Sequence, residues 1–326
     1  MKRTSSLFLL VVMVLAALPL AAQSVERTAH TVTSGRARLE AELVMPVGGA
    51  DIKGAVVFVV GSGTGSFQDY IPGFEEQLIE SIYLPRDMAV FYFNKRGVGE
   101  STGNWKWGSM ERRADDALAA VEYLRTLPEI DPDGIGLIGH SQGGWIVQLA
   151  GSQDPRIAHV VSLAGPAVTV VEHDLRRVEI DLRCEGCAEA DIARGVAKRA
   201  RGLRVKIFVG SWFPFFEMRL TRNLFRYDPT DALKSLSQPT LLAYGTLDNM
   251  APSADSRQRL DEIFPGGDPA NITFYAAEST DHFFRITESI CPDFFSADDE
   301  WLNKPYSEDF RTYLGSWLDT VLAGTR

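Results

Sequence analysis

GIGLIGHSQGGWIVQLAG, residues 134–151, decides how the rest of the chain is read. Its first six residues are an apolar run opened and closed by glycine, the pattern of a strand buried on both faces. A helix is expected to run from Gln142 to Gly151. Between the two lies GHSQG, residues 139–143, a G-x-S-x-G pentapeptide on a strand-to-helix turn. So sharp a turn leaves no room for side chains at Gly139 and Gly143, and it holds Ser141 strained at the apex. The serine hydroxyl is then exposed above the sheet, where the next helix begins. An ordinary turn serine needs neither the strand before nor the helix after. The context therefore predicts that Ser141 is a nucleophile.

Reading outward, the same alternation recurs. Apolar runs at 54–61, 88–94, 157–165, 239–245 and 271–277 read as further strands. Residues 109–127 carry Ala117, Leu118, Val121, Leu124 and Leu127 at helical spacing, with Ser109 placed for part of a capping box. Helices are also expected near 253–264 and over 306–322. Residues 28–45 read as two short strands around Ser34-Gly35. Strands alternating with helices predict a mostly parallel central sheet with helices on both faces. The alternation stops over 167–236, a charge-rich, helix-like segment read as an inserted helical lid. Core residues 23–166 and 237–326 then flank it. Phe208, Trp212, Phe213, Phe215 and Phe216 cluster in that segment. They either pack it onto the body or line an apolar pocket over Ser141.

A serine hydroxyl needs a base to take its proton and an acid to orient that base. The chain order that accompanies this elbow is nucleophile, acid, base. Of five histidines, only His282 follows the last predicted strand; His30, His140, His159 and His173 have bland structural readings. Asp248 lies just past the strand at 239–245, where catalytic groups gather in open α/β sheets. Asp281 is adjacent to His282, and sequence neighbours rarely orient one another's rings, so Asp248 is the expected acid. An oxyanion needs two donors: the N–H of Gln142 after the nucleophile, and one from the small-residue loop GSGTGS at 61–66, assigned to Ser62. That loop is not a phosphate cradle, since Ser66 stands where a dinucleotide fingerprint needs glycine and no GK[ST] follows.

The chain has 326 residues, 45% hydrophobic and 23% charged, an ordinary globular composition. Its net charge is −10 with no basic stripe, which argues against nucleic-acid binding. Lys2 and Arg3 precede an apolar run over Leu7–Leu18, followed by Pro19, Ala21 and Ala22. Residues 1–22 therefore read as a cleavable signal peptide, too short to span a bilayer, and the protein is expected to be exported, periplasmic or secreted, with no stable membrane insertion. In that compartment Cys184 and Cys187 are expected to pair across a short loop, with Cys291 free. A zinc site lacks further ligands, and a thioredoxin-like motif lacks its βαβ setting.

GHSQGG at 139–144, GSGTG at 61–65, NKRGVGESTG at 94–103 and PTLLAYGTLD at 239–248 together resemble the α/β-hydrolase superfamily, especially bacterial hydrolases related to serine aminopeptidases and acyl-CoA thioesterase-like enzymes. The resemblance runs over 28–322 and implies the α/β-hydrolase fold, with Arg96 in a structural role. It departs from the pattern at Val60, where the family usually has histidine, and around CEGC and 285–305. The expected activity is hydrolysis of a carboxylic ester or related acyl bond in a small-molecule substrate, with no cofactor and no metal. Peptidase, amidase and thioesterase activities share the mechanism. A catalytically idle ligand-binding relic is the non-enzyme alternative.

Overall fold

In the computed structural model, residues 24–48, 52–212, 223–291 and 300–324 are described. Residues 1–22, read as a signal peptide, and Phe213, Phe215 and Phe216 lie outside them. Eight strands form one sheet: β1 (Val25–Ser34), β2 (Ala37–Pro46), β3 (Ala55–Val59), β4 (Ala89–Phe93), β5 (Ile135–His140), β6 (Val160–Leu163), β7 (Thr240–Gly245) and β8 (Ile272–Ala277). Their spatial order is β1-β2-β4-β3-β5-β6-β7-β8. The β1–β2 hairpin joins β4 antiparallel, and every pair from β4 onward is parallel.

The central strands are apolar throughout because helices cover both faces. Residues of β3, β4 and β5 are all buried, and alternate side chains enter opposite layers. On one face Val57, Phe91 and Leu137 pack with Ala117 and Val121 of α1 (Met110–Leu124) and Ile146 of α2 (Gln142–Gln153). On the other, Val56, Val90 and Ile138 meet Ile79 and Ile82 of a short helical stretch and Phe310 and Leu314 of the C-terminal helix. That short helical stretch, over Glu76–Glu80 and Ser81–Tyr83, had no periodic signature in the sequence. Each side chain fully buried this way contributes about 1.5–3 kcal/mol.

The segment after β6 holds α3 (Val170–Cys184), α4 (Glu189–Trp212) and α5 (Thr230–Ser235). Thr169 and Glu172 form a full capping box at the start of α3. The remaining helices are α6 (Ser253–Ile263) and α7 (Glu308–Gly324). Arg176 of α3 pairs with Asp255 of α6 at 3.1 Å, and Arg199 of α4 with Asp174 of α3 at 2.7 Å. Phe208 and Trp212 are 66% and 71% exposed, so these two rings of the aromatic cluster do not pack the segment onto the body.

The cysteine pairing differs from expectation. Cys184 bonds Cys291, 107 residues away, with Cα atoms 5.5 Å apart, and Cys187 is free. Cys184 is the last residue of α3, and Cys187 lies beyond the turn that ends it, with its N–H donating to Leu182 O at 3.0 Å. The Cys184 thiol instead reaches the loop that follows β8. Local spacing gave no sign of a partner brought close only by tertiary structure.

Candidate active site

Four loops converge at the C-terminal edge of the sheet. Ser141 joins β5 to α2 with φ +55° and ψ −120°, a conformation that costs a non-glycine residue roughly 1–3 kcal/mol. Its neighbours hold it there. The Ser141 N–H donates to Leu163 O at 2.8 Å, and the Gly144 N–H donates to Ser141 O at 2.9 Å. A Cβ on Gly139 would strike the Gly143 carbonyl, and one on Gly143 the Val59 carbonyl, so the steric reading of the pentapeptide holds. The Ser141 side chain does not cap α2, which leaves its hydroxyl uncommitted to that helix.

Asp248 and His282 meet from the loops after β7 and β8. His282 Nδ1 donates to Asp248 Oδ2 at 2.8 Å, and both residues are buried. The other carboxylate oxygen accepts the N–H groups of Met250 and Ala251, each at 2.7 Å. Burial alone would raise the Asp248 pKa, yet His282 and these two donors hold it below its ordinary value. A carboxylate fixed in this way keeps the proton on Nδ1 and leaves Nε2 as the basic nitrogen. His282 Nε2 is buried with no hydrogen-bond partner among the described residues. Asp281 serves its own loop: its Oδ1 accepts the N–H groups of Phe283 (2.8 Å) and Arg285 (2.9 Å).

The loop after β3 lies against the serine. A Cβ on Gly61 would strike Tyr70 Oη and come within 3.2 Å of Ser141 Cβ. The Gly61 N–H is already spent on Tyr70 Oη at 2.9 Å, so it cannot serve an oxyanion. The next one can: the Ser62 N–H has no acceptor among the described residues. Lys95 Nζ donates to Gly61 O at 3.0 Å and Gly63 O at 2.6 Å; Arg113 Nη2 donates to Val60 O at 3.1 Å. Gly61 C=O and Ser62 N–H belong to one trans peptide and point opposite ways. Drawing that carbonyl toward Lys95 therefore turns the Ser62 N–H away from it. Gln142 is the first residue of α2, so its N–H is among those a helix leaves unpaired. Its side chain accepts from Arg113 Nη1. Ser62 and Gln142 border one cavity.

The profile of the serine aminopeptidase S33 family matches residues 54–201, which include the loop after β3 and the elbow. Among solved structures, 2,6-dihydroxy-pseudo-oxynicotine hydrolase superposes with a TM-score of 0.58 at 20% identity, over 92% of this chain and 69% of that one. Est1E from Butyrivibrio proteoclasticus, solved with ferulic acid, gives 0.58 at 16% identity over 90% of this chain and all of that one. The chain has the α/β-hydrolase fold. A curated relative, the uncharacterized protein YfhR of Salmonella typhimurium, is 26% identical over 204 residues, 57% of this chain and 56% of that protein. The chain thus spans about half the length of that relative.

Within this α/β-hydrolase fold the sequence reading missed His140. Its Nε2 donates to the His282 carbonyl at 2.8 Å, which fixes the proton on that nitrogen. Burial, then the nearby His282, pulls its pKa to about 3, so the ring stays neutral and Nδ1 accepts the Tyr70 hydroxyl at 2.7 Å. Gly61, Tyr70, His140 and His282 thus form one hydrogen-bonded chain from the loop after β3 to the loop after β8. The only hint was position, since His140 sits beside the serine with a side chain directed the other way. The other histidines are structural in character: His30 meets Tyr123 Oη at 2.7 Å, His159 stacks on Tyr83, and His173 packs edge-on against Trp145. Arg96 forms a two-pronged ion pair with Asp116 of α1. Among the described residues no three His, Cys, Asp or Glu side chains are placed to hold a metal ion.

Proposed function

We propose that the chain is a serine hydrolase that cleaves a carboxylic ester or related acyl bond through Ser141, His282 and Asp248. The observation that carries this reading is the buried His282 ring, its Nδ1 held by Asp248 and its Nε2 unpartnered, on a residue whose carbonyl bonds His140, the chain neighbour of Ser141 in the strained elbow. Ser141 Oγ attacks the acyl carbonyl as His282 Nε2 takes its proton. The oxyanion accepts the N–H groups of Gln142 and Ser62. As the tetrahedral intermediate collapses, the imidazolium returns the proton to the leaving oxygen. Water, deprotonated by the same nitrogen, then frees the acyl group from Ser141.

The match to a serine aminopeptidase profile favours amide cleavage as the second reading. A panel of activated esters, thioesters and aminoacyl amides ranks the leaving groups. The expected order places esters first, and Ser141→Ala should lose ~10³-fold or more in kcat on any substrate turned over. Turnover unchanged by that substitution would sink the mechanism. Export belongs to the same proposal. A disulfide joining residues 107 apart suits an oxidising compartment, and the leader-like residues 1–22 supply the route. We further propose that residues 167–236 act as a lid, on the ground that α3 and α4 interrupt the strand–helix alternation just after β6.

A further inference from the structure

Two cations stand beside the loop after β3 without a direct ion-pair partner; the nearest carboxylate acting on Arg113, Asp116, is already paired with Arg96. Lys95 and Arg113 form no ion pair among the described residues, although Lys95 is buried and Arg113 half-buried. Arg96, their neighbour in the fold, pairs fully with Asp116. Burying a charge without a partner is expensive, and carbonyl hydrogen bonds offset only part of the cost. Burial, with Arg113 adding repulsion, draws the Lys95 pKa down to about 7; burial, opposed in part by Asp116, draws Arg113 to about 10. Both side chains border a cavity of ≈ 120 Å³ that also reaches Ser62, Gln142, Trp105 and Leu224, and among the described residues no carboxylate lines it. Lys95 has three donors and spends two on Gly61 and Gly63. Arg113 has five donors and spends three, one of Nη1 on Gln142 and those of Nη2 on Val60 and Gly61. Donors therefore remain for an incoming anion, and a guanidinium beside an ammonium matches a carboxylate.

We propose that this cavity is a subsite for a carboxylate that the substrate carries close to its scissile carbonyl. The proximity follows from the walls: Ser62 and Gln142, the oxyanion residues, border the same small space. The subsite rests on the hydrolase reading of Ser141, so its test must separate the two. The simpler rival is that Lys95 and Arg113 only orient the loop carbonyls, in which case neutral and anionic substrates suffer alike when either is changed.

The experiment pairs each anionic ester with its methyl-capped neutral twin. 4-Nitrophenyl hemiglutarate places the carboxylate on the acyl side, and 4-acetoxybenzoate places it on the alcohol side. In at least one arm the wild type should favour the anionic ester by ~10-fold or more in kcat/KM. Arg113→Gln and Lys95→Gln should each cut that ratio by about the same factor, the size expected when a hydrogen bond to a charged group is lost. A ratio at or below one in both arms, with the neutral esters turned over, overturns the subsite and spares the hydrolase. So does an equal loss on both members of a pair. Calorimetric titration of monomethyl glutarate into Ser141→Ala provides a readout independent of turnover. Binding that weakens about tenfold when Arg113→Gln is added supports the subsite even if no ester is cleaved, whereas no binding contradicts it.

Discussion

Asp248 and Asp281 lie on either side of the same histidine, and geometry separates them. Asp248 reaches Nδ1 of the ring; Asp281 spends its buried oxygen on the backbone N–H groups of Phe283 and Arg285. Asp248→Asn would favour the wrong tautomer of His282 and should lower kcat by ~10⁴-fold. Asp281→Asn keeps an acceptor oxygen in place and should stay within about tenfold in kcat. Steady-state kinetics on one activated ester gives both figures, and the reverse ranking would reassign the acid. Lys95 supports a different measurement. Its pKa falls from 10.5 unfolded to about 7 folded. Between those values the unfolded chain binds more protons, so this residue makes stability rise with pH from about 7 upward. Urea unfolding of wild type and Lys95→Met at pH 7 and 9.5 isolates the contribution. Wild type should gain more stability than the variant over that interval, and parallel changes would show that the ammonium is not buried at a cost.

At the scale of elements, the disulfide ties the end of α3 to the loop that follows His282. Closing so long a loop removes much of the unfolded chain's freedom, and a native bond of this kind typically contributes ~2–4 kcal/mol. Cys291→Ala should lower stability by about that amount in denaturant titrations, while Cys187→Ala should leave it within ~0.5 kcal/mol. Mass mapping of the unreduced protein should recover a Cys184–Cys291 peptide pair. A Cys184–Cys187 pair, or equal stability of the two variants, would contradict the bond. Sequence could not have distinguished these pairings, because spacing speaks only of neighbours. The strands were legible for the converse reason. Helices cover both faces of β3, β4 and β5, so each strand had to be an uninterrupted apolar run. The turns over Glu76–Tyr83 were not, since Leu78, Ile79, Ile82 and Tyr83 are buried without an extended helical repeat around them.

Across the whole molecule, the site residues read from the sequence are those whose roles depend on chain order and strand ends. Ser141, Asp248 and His282 each follow a strand of the same sheet, at its C-terminal edge. What escaped the reading depends on depth. Tyr70 and His140 bridge the loop after β3 and the His282 loop through hydrogen bonds, and Lys95 and Arg113 grip the carbonyls of the former. Neither group has a motif, because each acts through backbone atoms that any sequence supplies. The central claim is that these parts converge to make Ser141 a nucleophile driven by His282. Treating the protein with a fluorophosphonate and mapping the adduct by peptide mass spectrometry tests it most directly. The account predicts one modified residue, Ser141, with labelling abolished in Ser141→Ala and slowed ~10³-fold or more in His282→Ala. An adduct on another residue, or labelling of Ser141→Ala at the wild-type rate, would contradict it.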